Sequence, residues 1–596
     1  MQYTSREVYE FISKHNNDPI VERKTCTVSG QPFAIFQSDL DFYTKISPTF
    51  AGQKFQIPTP TLCPEERQRR RLMRRNERKL YRRKCDATGE SIISYVSPDK
   101  SYPVYKREVW FSDVFNPLDY GRDFDFSKTF AENFQELLNI VPRYSVQQQD
   151  PMQNSDYCNC ASNCKNCYYI FDSDFNEDSL FSNVLRRSRR CIDCSFCDTC
   201  DGCYECISCR ECYQSFASQY CIGCSNCIRC YDCVKCSFCY GCHGLQNKTY
   251  CIFNKQYTKE EYFEQLKSGQ LSDSSEHIVP GMRLVQTEKT IWNNCFNTKN
   301  SIIWYDLNNT ENTRYCDLIT SADTCMDIST IGEELSKSYE WVGIGLSSNE
   351  VYFSSVVCIN SHHVYYSFLC FPNVSDCFGC VGMKNNSYCI FNKQYTKEEY
   401  ETLVSKIISH MQETWERWEF FHPSLSPFGY NETVANEYFP LSKKEAIVRW
   451  YKWQEKTYDP IIPEGAKVID FRHPERSEGS SKQQSLDSSL HSEWQADDIL
   501  KAIFVCEISG RPYRIIKQEL EFYRKHNLPL PRRHPDIRHE ERMNLRPGRT
   551  LYLRNCDKCT KKMLSVYDPK EFLLGDDTKY EWKVYCESCY QQEVYA

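Results

Sequence analysis

CIDCSFCDTCDGCYECISCREC, residues 191–212, and CIGCSNCIRCYDCVKCSFCYGC, residues 221–242, each carry eight cysteines at every third position. A strand repeats every two residues and an α-helix every 3.6, so a strict period of three fits neither. Polyproline II has the right period, and 3₁₀ runs of this length are uncommon. The period instead predicts a tight solenoid, in which each short side with its corner uses a few residues and sends one cysteine inward. The later half supports this, because residues 292–389 carry strand-like runs bounded by Asn, Ser and Asp. These are NSIIWYDLNN (300–309), NEVYFSSVVCIN (349–360) and HHVYYSFLCF (362–371). The two cysteine arrays are offset by thirty residues, and each ends in a nine-residue step to the next cysteine, preceded by Tyr220 or Tyr250.

A thiol is small, apolar and commonly buried, which suits a narrow interior that leucine would overfill. Three readings of the ladder stay open: packed thiols, thiolates on zinc or an iron–sulfur cluster, and disulfides, which a reducing compartment disfavours.

Further repeats flank the ladder. YCIFNKQYTKEEY occurs identically at 250–262 and 388–400. Thr258 and Thr396 each precede a glutamate by three residues, the pattern of a capping box opening a short cap helix. The chain ends are related as well: CTVSGQPFAIFQSDLDFYTK (26–45) matches CEISGRPYRIIKQELEFYRK (506–525). The match continues from PTPTLCPEER (58–67) to PLPRRHPDIR (529–538), and from ERKLYRRKCDAT (77–88) to GRTLYLRNCDKC (548–559). YPVYKREVW (102–110) then matches EWKVYCESCY (581–590).

An ancestral module would thus have carried two metal sites. One intact set remains, Cys556, Cys559, Cys586 and Cys589, two CxxC turns separated by 26 residues. Such a set holds a structural zinc with no open position for catalysis. The other three sites are degenerate. Cys506 with His534 keeps two ligands beside Ser509 and Ile537, and Cys26 with Cys63 keeps two, or three if Glu66 counts. Cys85 stands alone among Thr88, Lys106 and Val109. These sites are expected to bind no metal and to rest on aromatic packing by Phe42, Tyr43, Tyr105 and Trp110.

The terminal CxxC module, the ladder and the cap GLQNKTYCIFNKQYTKEEY from Gly244 resemble the large cysteine-rich zinc-ribbon proteins of uncultured small-genome bacteria, over nearly the whole chain. Such proteins are often labelled CaiB/BaiF-like CoA transferases, a label these residues do not support. The resemblance implies zinc ribbons and no established activity.

The fold class expected is therefore multidomain and mainly β, with terminal zinc-ribbon-like α+β modules flanking a Cys-rich, β-helix-like repeat solenoid with short capping helices. At 596 residues about four compact units are expected. We divide the chain into 1–150 (degenerate module), 151–285 (ladder solenoid with cap), 286–410 (second solenoid with cap), 411–500 (aromatic helices and linker) and 501–596 (zinc module). RHPERSEGSSKQQSLDSSLHSEW (472–494) reads as a flexible linker resembling a translated genomic repeat element. The N-terminus lacks a basic start followed by an apolar run, and no stretch of about eighteen apolar residues occurs, so a cytoplasmic protein with no membrane partner is expected. The 37 cysteines then read as ligands or packed thiols.

The net charge of −7 conceals Arg67–Lys84, with one acid against eleven bases. On a helix resting on Leu72, Met73, Leu80 and Tyr81, the side chains of Arg67, Arg69, Arg70, Arg71, Arg74, Arg75 and Arg78 would face solvent and suit a phosphate backbone. The aligned RRHPDIRHEERMNLRPGR (532–549) is basic too. The leading functional reading is a zinc-binding, non-enzymatic protein that associates with RNA or DNA through basic modules. A second is a protein-interaction scaffold built on the solenoid. A third is a thiol redox or CoA-transferase-like enzyme, for which the sequence offers no Gly-rich phosphate loop, no GxSxG elbow and no HExxH.

Overall fold

Each triplet of the ladder has the same division of labour in the computed structural model. The structure describes residues 2–594 apart from 473–495, 571–581, scattered positions between 270 and 347, and 417, 459 and 461. From Cys158 to Cys242 every third residue is buried inside the solenoid. The residue before each inward one, from Tyr157 to Gly241, is left-handed, with φ between +45° and +68°. The third member forms the rung.

Four triplets close one coil. Rung residues pair in parallel at a spacing of 12, as in Tyr168 to Leu180 to Ile192 to Tyr204. The N–H of Ile192 donates to the Cys203 carbonyl at 3.0 Å, and that of Asp193 to the Leu180 carbonyl at 3.2 Å. Left-handed corners favour Gly, Asn and Asp, and Asn163, Asn166, Asp178, Asp193, Gly202, Gly223 and Asn226 fill many of them. Thr199 is a costly exception, β-branched at φ +55°. Thr199→Asn is therefore expected to raise local stability by about 1 kcal/mol, read as slower hydrogen exchange in the rungs on either side of that corner.

The thirty-residue offset is not the structural repeat. Ser215 and Ser218 are buried at the inward positions that the nine-residue step skips, so the 12-residue coil runs on through both arrays. Serine and cysteine interchange because each inward N–H points at the side chain one coil earlier. Cys191 donates to Ser179 Oγ at 3.2 Å, Cys230 to Ser218 Oγ at 3.2 Å and Cys236 to Cys224 Sγ at 3.5 Å. The thiols in turn donate to carbonyls, as Cys194 does to Cys203 O at 3.5 Å. A small side chain able to accept and donate serves this lattice better than alanine.

A second solenoid follows, its strands again parallel, at spacings of 12 and 13 residues. Part of NSIIWYDLNN, residues 300 and 302–306, lies outside the described residues; 349–360 and 362–371 form rungs. The two stacks together make about 17 turns, and the protein is mainly β. Each stack ends in a short antiparallel turn and a helix, Lys259–Ser268 or Lys397–Glu413. Both helices open on the expected capping box: Glu261 accepts the Thr258 N–H at 2.9 Å and Glu399 that of Thr396 at 2.9 Å.

The duplicated end modules dock crosswise. Residues 2–145 pack on the second solenoid, with Tyr43 against Tyr339 at 5.1 Å, Trp110 against Phe371 at 5.8 Å and Phe130 against Tyr366 at 5.1 Å. The C-terminal module packs on the first, with Phe522 against Tyr204 at 5.8 Å and strand Trp582–Tyr585 parallel to His277–Pro280 at its exit. No described helix is long and apolar enough to cross a membrane.

Candidate metal centre and the buried arginines

Cys556 follows strand Tyr552–Asn555 and opens a tight turn back to Lys562–Ser565. Its N–H donates to the Lys561 carbonyl at 2.9 Å, and the Thr560 N–H returns to the Cys556 carbonyl at 2.9 Å with Thr560 at φ +60°. Cys586 and Cys589 come from the start of helix Glu587–Val594 after the last strand. The two turns are tied by Asp557, whose N–H donates to Val584 O at 3.1 Å and whose carboxylate accepts the Val584 N–H at 2.7 Å.

All four sulfurs lie within 4.8 Å of one another, the only such group of three or more metal donors among the described residues. Cys559 and Cys586 approach to 3.7 Å on the solvent side, while Cys556 and Cys589 are buried. Burial raises the Cys586 thiol, but the Ser588 hydroxyl and the Cys589 N–H outweigh it and bring it to about 6. A cluster of four thiols on two turns, one already near its thiolate form, can hold a metal ion.

The backbone of this turn recurs three times. Cys26, Cys85 and Cys506 donate to the carbonyls of Gln31, Glu90 and Arg511 at 2.8, 2.8 and 3.1 Å. Gly30, Gly89 and Gly510 close the turns at φ +70°, +74° and +68°, where a Cβ would be strained. Even the Asp557 tie has its twin, Asp86 accepting the Val104 N–H at 2.7 Å. The first cysteine survives in all four turns because its sulfur accepts backbone N–H groups. Cys85 receives Lys106 N–H at 3.2 Å, Cys506 receives Ser509 N–H at 3.4 Å and Cys556 receives Cys586 N–H at 3.2 Å.

The remaining candidate ligands have other duties. Cys63 sits at 3.8 Å from the Ser29 hydroxyl and its hydrogen bond with Cys26 holds the Cys26 thiol down, at about 4. Glu66, the third donor considered there, is taken by Arg69 at 2.9 and 3.1 Å and by the Tyr3 hydroxyl at 2.6 Å. His534 caps helix Pro535–Asn544, its Nδ1 accepting the Asp536 N–H at 3.0 Å, and burial lowers it to about 4. The described ladder cysteines are all free thiols, none in a disulfide, and they form no converging set of three.

The expectation of an arginine-lined solvent face is overturned. All nine residues of helix Pro64–Leu72 are buried, and Arg67, Arg69 and Arg71 are 1 % exposed or less. Arg74 and Arg78 are buried as well, and only 9 % of the Arg75 side chain is exposed. Arg70 forks to Glu340 at 2.7 and 2.8 Å and reaches Glu419 at 3.0 Å. Arg67 lies over Tyr315 at 4.8 Å, and Arg74 over Phe421 at 4.4 Å while donating to Leu425 O. Arg75 pairs with Asp172 at 3.2 Å and with Glu77, and Arg78 pairs with Asp536 at 3.1 Å. The aligned arginines of the other copy behave alike: Arg538 and Arg542 share Asp193, and Arg546 lies over Phe196 at 3.5 Å.

These bases are the adhesive between modules and solenoids. Their partners Asp193, Glu340, Glu419 and Asp536 were missed because each lies far from its arginine in sequence: 345 residues for Asp193 and Arg538, 270 and 349 for Glu340 and Glu419 with Arg70, and 458 for Asp536 and Arg78. Comparison of the sequence with protein-family models and with curated proteins finds no match.

Proposed function

We propose that this chain is a zinc-fastened, non-enzymatic scaffold that holds partner proteins on the open flank of its first solenoid. The Cys556–Cys559–Cys586–Cys589 cluster would act as a closed zinc-ribbon site, since four thiolates in a closed set suit tetrahedral zinc. The metal's part would be to fix the C-terminal module in place.

The open flank carries the reading. Rung residues Lys165, Glu177, Arg189, Asp201 and Tyr213 stack in one bridged column, each exposed or half-exposed. Tyr213 within it and Phe175 beside it stand 44 % and 57 % exposed. Its bases face acids: Lys165 to Glu177 at 2.8 Å, Arg187 to Asp198 at 2.9 Å and Arg190 to Asp201 at 2.7 Å. A mixed-charge surface with exposed aromatics favours a protein over a polyanion. Burial of the Arg67–Arg78 cluster takes away the main surface on which the RNA or DNA reading rested.

Cross-linking of the full chain in cell extract tests this. Cross-links to other proteins from Lys165, and from Lys235 at an exposed corner in line with Phe175 and Arg187, lost in Tyr213→Arg, are expected. No such cross-links, together with nucleic-acid retention that falls steeply with salt, would overturn it.

A further inference from the structure

The two identical caps stand in different surroundings. At the second, Phe391 and Asn392 are 0 % exposed. Residues 117–134 of the N-terminal module lie across them. Phe391 meets Phe124 and Phe130, each with ring centres 5.5 Å away, and its carbonyl accepts the Arg122 N–H at 3.1 Å. Asn392 Nδ2 donates to the Pro117 carbonyl at 3.1 Å. Asp123 accepts from Lys393 Nζ at 2.7 Å and from the Tyr395 hydroxyl at 3.1 Å. Gly121 sits so close that a Cβ there would stand 2.7 Å from the Asn392 oxygen.

At the first cap the same residues hold the same local geometry. Asn254 closes its coil as Asn392 does, accepting the His243 N–H at 2.8 Å and donating to the His243 carbonyl at 2.9 Å, against 2.8 and 2.8 Å with Val381. Lys255 leans over Tyr257 as Lys393 leans over Tyr395, at 5.2 and 5.5 Å. Yet Asn254 is exposed and Phe253 half-buried where Asn392 and Phe391 are covered, while Lys255 and Tyr257 are as exposed and half-buried as Lys393 and Tyr395. The modules dock equivalently up to this point. Tyr590 and Val594 cover the corner at Gly244 as Phe115 and Val141 cover that at Gly382. Among the described residues no segment then crosses the first cap.

Because the two surfaces have the same sequence, the occupant of one specifies the chemistry that fits the other. We propose that Phe253, Asn254, Lys255 and Tyr257 form a docking site for an acidic, aromatic segment of a partner protein. That segment has the pattern of Pro117-Leu-Asp-Tyr-Gly-Arg-Asp-Phe-Asp-Phe126: a glycine to close on the Asn254 carbonyl, an aspartate for Lys255 and Tyr257, and a phenylalanine for Phe253. This rests on the scaffold reading and names one of its sites.

The test is fluorescence anisotropy with a labelled peptide of residues 116–126, NPLDYGRDFDF, titrated with the full-length chain. One saturable site per chain is expected. Lys255→Glu should weaken it at least tenfold, a peptide with Gly121→Ala should bind several-fold more weakly, and a peptide with Asp123→Lys should bind Lys255→Glu better than wild type. Lys255 is exposed, so the variant should keep the wild-type metal content. No saturable binding would overturn the proposal. So would binding lost in Lys393→Glu but kept in Lys255→Glu, which would mean that the peptide had displaced the chain's own segment from the second cap. Sedimentation of the chain alone gives the other outcome: self-association abolished by Lys255→Glu would make a second copy the occupant, against a partner protein. Failure of the peptide leaves cross-links from the open flank standing, so the two readings fail separately.

Discussion

If the four thiols hold the proposed zinc, serine in place of Cys589 should abolish its binding and release the C-terminal module from the first solenoid. Cys589 and Cys556 are 7 % and 1 % exposed, so the lost ligand cannot be replaced by water without opening the turn. Structural zinc supplies on the order of 10 kcal/mol of folding free energy in isolated ribbons at neutral pH, far more than any single contact here. What it would fix is specific. Strand Trp582–Tyr585 pairs with His277–Pro280, the Tyr590 hydroxyl donates to Asp232, and Val594 packs at Gly244. Hydrogen exchange should show 277–280 and 582–594 losing protection, while rungs 191–242 keep theirs. Metal analysis of the wild type belongs to the same experiment. One zinc per chain fits a ladder of packed thiols, and several metals per chain would return the ladder to metal chemistry.

The solenoid was legible because a period of three is visible in a single sequence. Its coil of 12 was not, since serine takes the same inward place as cysteine at 215 and 218 and breaks the visible array. The turn at Cys556 was legible because CxxC spacing is local. The equivalence of Cys26, Cys85 and Cys506 with it shows in the backbone bonds these turns keep after the other ligands have changed. The basic segment misled for the opposite reason. A run of arginines advertises charge, but the acids that absorb it are brought up from Glu340, Glu419 and Asp536 by a crosswise docking that no local pattern encodes. The first cap is the extreme case: in two identical stretches of 13 residues, Phe391 and Asn392 are buried while Phe253 is half-buried and Asn254 exposed, and only the neighbours differ.

That docking sets the second large effect. Asp193→Asn should cost about 3–5 kcal/mol, the usual result of removing one partner from a buried ion pair. Asp193 is 0 % exposed and stands between two guanidinium groups: Arg542 at 2.9 Å and Arg538. Asparagine keeps the shape and tolerates the corner's φ of +54°, so backbone strain does not enter. What changes is charge. Arg538 keeps Glu519 at 3.2 Å, while Arg542 keeps only neutral acceptors, Ser195 Oγ at 3.2 Å and Phe181 O at 3.1 Å. A chain of several units does not unfold in one step, so the readout should be local: faster exchange and proteolysis in helix Pro535–Asn544 and strand Ile503–Val505. Asp198→Asn is the control, since its partner Arg187 has a side chain 51 % exposed and surface pairs contribute about 0–1 kcal/mol. Equal effects from the two substitutions would mean that the arginines are spectators in the docking. A large gap, with Asp193→Asn releasing the module and Asp198→Asn silent, identifies buried charge pairing as the force that holds each duplicated end against the solenoid.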